Sequence, residues 1–320
     1  TGAVIDGLPG WDWAQAAVAK LAAMDNVRIL TRTTAFGYYA QNFVGLVERV
    51  TDHLPAPLPD LPRERLWQVR AKRVILATGA IERHMVFPDN DRPGVMLASA
   101  ARTYLNHYGV AVGRKVGVYM ANDSAYYAAI DLKKAGVDVA AIVDLRDNPQ
   151  GPAVDEARAL GIEINAGRAV IGVSGRQRVS GMTVKAKSGG PQRTIAIDAL
   201  ITSAGWTPSV HLFSQSRGKV AYDEETKRFL PGTYAQDCVS VGACNGTDDL
   251  GNTLAEAASA GHAAAKAAGV KAGRAGARPK ANTSEAWSRG MAGAAPGAAG
   301  KKAFVDFQND VTAKDIAQAV

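Results

Sequence analysis

The strongest constraint on the fold of this chain is a strand, helix, strand run between residues 114 and 143. Residues 115–120 (Lys-Val-Gly-Val-Tyr-Met) read as an apolar strand, residues 124–135 have helical periodicity, Gly136 ends the helix, and residues 137–143 read as a second apolar strand. Roughly thirty residues is the length of a βαβ unit, whose strands are parallel neighbours in one sheet. A parallel sheet needs cover on both faces, so the expected class is α/β with a doubly wound sheet covered by helices.

Weaker signals extend that pattern in both directions. A helix over 11–24 feeds a strand at 27–30, and residues 43–50 and 67–69 form a hairpin around the proline-rich turn 54–62. The wholly apolar strand 74–77 suits a place buried on both faces. After the βαβ unit come a helix at 152–160, a strand at 162–164, a meander over 170–173, 180–187 and 194–197, apolar strands at 199–202 and 238–241, and an alanine-rich helix over 253–268. Residues 269–300, rich in Gly, Ala, Lys, Arg and Pro, have little to bury and are expected to be a flexible linker, and a capped helix start at 310–316 opens a further element.

Composition excludes several classes of function. No run of eighteen apolar residues crosses a membrane, and the net charge of +7 lies partly in Lys266, Lys271, Arg274, Arg278, Lys280, Lys301 and Lys302, with no basic, aromatic-interleaved stripe for nucleic acid. Cys238 and Cys244 fit neither a Cys-x-x-Cys pair nor a zinc site, which points to reduced thiols and a cytoplasmic location. His53, His84, His107, His211 and His262 are scattered, and no Ser or Cys sits on a nucleophile elbow, so no catalytic residue and no metal ligand is expected. The opening Thr1-Gly2-Ala3 lacks an initiator Met, and truncation at both ends is expected.

Two motifs carry binding chemistry. The strand 74–77 runs into Thr78-Gly79-Ala80, and a loop at the carboxyl end of a parallel strand is where open α/β sheets take ligands. The strand 238–241 runs through the glycine-rich loop Gly242-Ala243-Cys244-Asn245-Gly246 to a helix start around Leu250 and Asn252, where free amides and the helix dipole favour a phosphate. Between them the βαβ unit carries a damaged fingerprint. Met120, Asn122 and Ala125 stand where Gly-x-Gly-x-x-Gly/Ala would be, and Asp144 reads as a solvated strand-end carboxylate rather than a ribose ligand. Trp206-Thr207-Pro208 reads as a structural turn.

The order of these motifs resembles the pyridine nucleotide-disulfide oxidoreductase-like flavoproteins, in which a split Rossmann-type domain encloses a second, inserted one. Within that class, residues 77–83 (Ala-Thr-Gly-Ala-Ile-Glu-Arg), 87–96, 100–105, 122–126 (Asn-Asp-Ser-Ala-Tyr) and 304–315 resemble the alpha subunits of heterotetrameric sarcosine oxidases. The resemblance implies a first dinucleotide-binding domain at 1–111 without its N-terminal βαβ, an inserted degenerate Rossmann-like domain at 112–197, a return at 198–268, a linker at 269–303 and the start of a truncated domain at 304–320. It implies NAD held without turnover, with FAD as the alternative. Thr34 and Ala35 would meet the adenosine half, and Thr78, Gly79, Gly242, Ala243, Asn245, Leu250 and Asn252 the nicotinamide half. In the whole complex it implies FAD on a beta subunit, FMN at the alpha/beta interface, gamma and delta subunits, and tetrahydrofolate on a C-terminal domain. Sarcosine would be demethylated to glycine, with formaldehyde passed to tetrahydrofolate and hydrogen peroxide released. An NAD(P)H-dependent flavoprotein reductase and a cyanide-synthase or opine-oxidase subunit are the alternatives. A working reductase needs an intact inserted nucleotide site and usually a cysteine pair, and this sequence has neither.

Overall fold

The structure, a computed structural model, describes residues 2–56, 58–271, 273, 276–283 and 302–320. By contacts the chain divides into two units, one from residues 2–81 with 207–283 and one from residues 82–206 with 302–320. The boundaries thus fall at 81/82 and 206/207, against 111/112 and 197/198 in the sequence reading, and the strands Val95–Leu97 and Ala199–Ser203 lie together in one sheet.

The second unit holds the βαβ unit: strand Lys115–Met120, helix Ser124–Lys134 and strand Asp138–Asp144. Its five-stranded parallel sheet runs in the order Ile164–Ala166, Asp138–Asp144, Lys115–Met120, Ala199–Ser203, Val95–Leu97. Alternation along each strand feeds two cores. Val116, Val118 and Met120 join Ala199 and Ile201 under the helices, while Tyr119 and Leu200 face the opposite way with Met85, Phe87 and Met182. Each such fully buried large side chain contributes roughly 1.5–3 kcal/mol. The expectation of helices on both faces is corrected on this second side. Its core includes Val170, Val173, Met182, Val184 and Ile195 from the antiparallel strands Arg168–Ser174, Gly181–Ala186 and Gln192–Ala196. Gly117 permits that packing, since a Cβ there would sit 2.8 Å from the Met182 sulfur.

The first unit is built on a two-stranded parallel pair, Val74–Leu76 beside Cys238–Ser240. Beside it stands an antiparallel sheet of Thr33–Tyr39, Phe43–Arg49 and Glu64–Arg70. Asn42 joins the two: its Oδ1 accepts from the Tyr38 hydroxyl at 2.7 Å, and its Nδ2 donates to the carbonyls of Lys72 and Asp237 at 3.2 Å. Strand 33–39 is an addition to the hairpin read from the sequence. Residues 27–30, expected as a strand, have no ladder partner among the described residues and do not form one. The strand at 74–76 is not buried on both faces either, since Ile75 is 38% exposed.

Most of the expected linker lies outside the described residues. Within it, Ala281–Asn282 pairs with Val4–Ile5, and Lys280 exchanges hydrogen bonds with Asp6. In the second unit, strands Phe304–Asp306 and Val311–Thr312 lead to the helix Ala313–Ala319, closed by a Thr312/Asp315 capping box.

Candidate functional site

The register Leu76↔Ser240 brings the two binding motifs to the same edge of the first unit, since both strands end there. The Leu76 carbonyl accepts from the Val241 amide at 2.9 Å and from the Cys244 thiol at 3.2 Å, which locks the two loop entrances together. Cys244 is buried and Cys238 half-buried, and both are free thiols; burial raises the Cys238 pKa, against a Tyr38 hydrogen bond that lowers it.

Thr78 and Gly79 are held by the chain at 209. The Thr78 hydroxyl donates to the Ser209 carbonyl at 2.7 Å, and the Ser209 amide donates to the Gly79 carbonyl at 2.9 Å. Gly79 has φ +71°, and no atom lies within 4 Å of where a Cβ would point, so its face is open to close approach. Beside Thr78 opens a cleft of about 830 Å³ whose walls include Ala35, Phe36, Pro208, His211, Val220 and Phe229. That size suits a drug-sized or nucleotide-sized group against an apolar wall with a few polar anchors. Gln215, also in the lining, is fixed by accepting the Tyr38 amide at 2.9 Å.

Of the residues expected to bind a cofactor, Ala35 and Thr78 line this cleft. Thr34 is exposed on the same strand outside the lining. Gly242, Ala243 and Asn245 form a single 3-10 turn, and Leu250 and Asn252 open the helix Leu250–Ala267.

Two of the amides expected to be free there, those of Gly242 and Asn252, are engaged. The Gly242 amide donates to Glu256 Oε2 at 2.7 Å, the Asn245 side chain donates to Glu256 Oε1 at 2.6 Å, and Asp249 caps the helix by accepting from the Asn252 amide at 2.7 Å. Gly242, with φ +73°, is required by packing: a Cβ there would lie 2.9 Å from the methyl group of Thr253. Glu256 carried no signal in the sequence, because it is one polar residue in an alanine-rich helix. The Asp249 cap was also missed, because the helix was expected to begin at 253; an Asp directly before Leu250 is the signal that could have found it.

In the second unit the corresponding sheet edge is filled by protein groups. Asn122 is buried, donates to Ser203 Oγ at 2.8 Å and accepts from the Ser124 amide at 3.0 Å. Asp144 is not a solvated carboxylate; it is fully buried, accepting from the Tyr126 hydroxyl at 3.0 Å and from Arg146 at 2.8 Å. Arg146 reaches on to Asp123 at 2.7 Å. Burial works against the Arg146 charge, but the hydrogen bonds and charges of Asp144 and Asp123 outweigh it and raise its pKa. Trp206 donates its indole N–H to Ser124 Oγ at 3.0 Å. Among the described residues no group of acidic, His or Cys side chains is placed to hold a metal, and no helix is long and apolar enough to cross a membrane.

No family model matches the chain. It is 40% identical over 322 residues to the sarcosine oxidase subunit alpha of Rhizobium meliloti (strain 1021), an alignment covering 99% of this chain and 31% of that one. It is 38% and 36% identical to the sarcosine oxidase alpha subunits of Corynebacterium sp. strains P-1 and U-96, over 99% and 100% of this chain and 34% of each relative. The chain therefore spans about a third of the length of the curated relatives it matches. Among solved structures it is similar to an L-proline dehydrogenase from P. horikoshii, with TM-score 0.56, 24% identity and coverage of 84% of this chain and 47% of that one. It is also similar to a T. acidophilum thioredoxin reductase, with TM-score 0.55, 16% identity and coverage of 82% and 80%. Those likenesses bear on fold alone, an α/β fold with a parallel sheet of the Rossmann-like kind. Along practically its whole length, the chain is homologous to a one-third stretch of sarcosine oxidase alpha subunits.

Proposed function

We propose that this chain is the dinucleotide-binding stretch of the alpha subunit of a flavin-dependent sarcosine oxidase. The carrying observation is the identity of 36–40% to three such subunits over 99–100% of the chain. In this reading the first unit is the split dinucleotide-binding domain and the second unit the inserted one. The parallel pair 74–76/238–240 has no third strand among the described residues, and neither Gly10–Ala22 nor Leu250–Ala267 contains a buried residue, which supports a domain completed by further chain.

The residues of the first unit fit a nucleotide cofactor in part. Gly79 offers a bare face and the cleft beside Thr78 an apolar wall, whereas the amide of Gly242 is already taken by Glu256. NAD is the favoured occupant and FAD the alternative. The role of this chain is to bind and orient the cofactor; Thr78 and Ser209 fix the Gly79 loop, and Ala35 and Phe36 wall one side of the cleft. Sarcosine oxidation itself, with FAD, FMN, tetrahydrofolate and the beta, gamma and delta subunits, belongs to the whole assembly. A flavoprotein reductase is disfavoured because the fingerprint position of the second unit is filled by Asn122 and because Cys238 and Cys244 stand apart as free thiols.

The test is to purify the full-length subunit with its partners and assay it. Stoichiometric NAD released on denaturation, together with sarcosine-dependent hydrogen peroxide formation, is expected. A complex that instead oxidises NADPH without sarcosine would overturn the proposal in favour of a reductase.

A further inference from the structure

The wall of the cleft beside Thr78 contains no Lys, Arg, Asp or Glu; His211 is the one titratable side chain among the residues lining it. Phosphates are held best by charged donors, which this wall does not supply. Ala35 and Thr78, expected at opposite ends of a dinucleotide, both line it. The cleft therefore suits the ring at one end of such a ligand rather than its charged middle.

Two aromatic faces are presented there. Phe36 is 48% exposed and Phe229 50%. Each ring is steadied by a second contact: that of Phe36 packs on Gly45, where a Cβ would lie 2.7 Å from it, and that of Phe229 lies 5.0 Å from the Tyr222 ring. Phenyl faces held in this way stack on planar bases.

The polar selection falls to Gln215. Neighbouring donors are spent on the protein, the Thr78 hydroxyl on the Ser209 carbonyl and the Ser214 amide on the Val210 carbonyl. Gln215 accepts the Tyr38 amide at Oε1, 2.9 Å away. A backbone N–H can only donate, so the side-chain amide is fixed with its oxygen to Tyr38, and Nε2 is the end it offers in the cleft. A donor fixed in place selects a ligand atom that accepts.

We propose that Gln215 is a specificity-determining residue of this cleft: its Nε2 donates to a ring nitrogen or amide oxygen of an uncharged heteroaromatic ring that stacks against Phe36 and Phe229. This rests on the reading that the first unit holds a dinucleotide, whose adenine and nicotinamide ends share that chemistry.

The experiment is calorimetric titration of the full-length protein, freed of resident nucleotide, with adenosine, with nicotinamide and with NAD, in wild type and Gln215→Glu. Glu keeps an acceptor for the Tyr38 amide and replaces the donor by an acceptor, so a merely structural Gln215 predicts no change. Binding of one ring compound and of NAD should weaken about tenfold or more in the variant, at an unchanged thermal midpoint. Which compound responds, adenosine or nicotinamide, identifies the end that enters. Phe229→Ala, on a different element and half-exposed, should weaken the same compound about tenfold and guards against a misfolded first variant. A wild type that binds neither ring compound, or equal affinities in wild type and variants, overturns the proposal and leaves the dinucleotide reading to the NAD titration. A ring compound that responds to both variants, with no binding of NAD, leaves the role of Gln215 standing and overturns the dinucleotide reading alone.

Discussion

Asn90 grips Phe304 by both of its backbone groups, donating from Nδ2 to the Phe304 carbonyl and accepting the Phe304 amide at Oδ1, each at 2.9 Å. The same Nδ2 donates to the Met85 carbonyl at 3.2 Å, and Asn90 is buried. Replacing it by Ala strands buried polar groups, at roughly 1–3 kcal/mol. Asn90→Ala should therefore speed amide hydrogen exchange across 303–312 well before the exchange of the sheet strand Lys115–Met120. Unchanged protection at 304 would show that the contact does not hold the segment.

His84 lies against the same segment, its Nε2 3.1 Å from the Phe304 carbonyl and its ring 4.6 Å from that of Phe307. Burial lowers its pKa below the ordinary 6.5, against the Phe304 hydrogen bond and the Asp306 charge, which raise it. The unfolded chain then takes up the proton first as pH falls, so stability is full above about 6.5 and declines below it. The thermal midpoint of the second unit should drop between pH 6.5 and 5, and His84→Gln should flatten that slope. An equal slope in both proteins would assign the effect to other groups.

Arg146 neutralises a carboxylate that has no access to water. Arg146→Met should cost about 3–5 kcal/mol by leaving Asp144 charged and buried, and the double change with Asp144→Asn should recover much of it. Chemical denaturation of the three variants measures the coupling, and simple additivity would count against a buried pair.

The same network fills the sheet edge where a second nucleotide would lie. Titration with NADPH should give no protection from hydrogen exchange over 119–126, since Asn122 and the Asp123–Arg146 bridge occupy that edge. Protection confined to that stretch would contradict this.

The two loop glycines should separate stability from binding. Gly242→Ala brings a Cβ against the Thr253 side chain as well as the strain of φ +73°, and should destabilise the first unit by about 1–3 kcal/mol with or without ligand. Gly79→Ala meets only the strain of φ +71°, so its larger effect should fall on NAD affinity. Thermal midpoints and binding constants for both variants decide it; an NAD affinity unaffected at Gly79 places the ligand elsewhere.

Much of the second unit was legible because its strands are apolar on both faces: 115–120 is predicted to the residue, and 199–202 stops one short of Ser203. Strand 33–39 was missed because its hydrophobicity is broken by a bulge at Phe36, and its turn relies on positive φ at Gln41 and Asn42, residues that signal turns less strongly than Gly. Thr78, Gly79 and the Gly242 turn do follow the parallel strands Val74–Leu76 and Cys238–Ser240, whereas Thr34 and Ala35 lie within the antiparallel strand Thr33–Tyr39. Glu256, the cleft wall at Phe229 and the burial of Asp144 depend on contacts between distant residues, which periodicity does not carry.

The pairing of Val74–Leu76 with Cys238–Ser240 also fixes an order of events during synthesis. Leu76 leaves the ribosome long before its partner Ser240 exists, and the strands of the five-stranded sheet all emerge in the interval. The sheet-bearing part of the second unit, residues 82–206, can therefore fold as a closed excursion while Val74–Leu76 waits without its partner strand. Its early folding shortens the effective loop that the late pairing must close, at a saving that grows only as the logarithm of loop length. A lesion that slows the second unit would prolong the exposure of Val74–Leu76 in the nascent first unit, so defects at Asn122 or Arg146 should surface as aggregation through a strand neither residue touches.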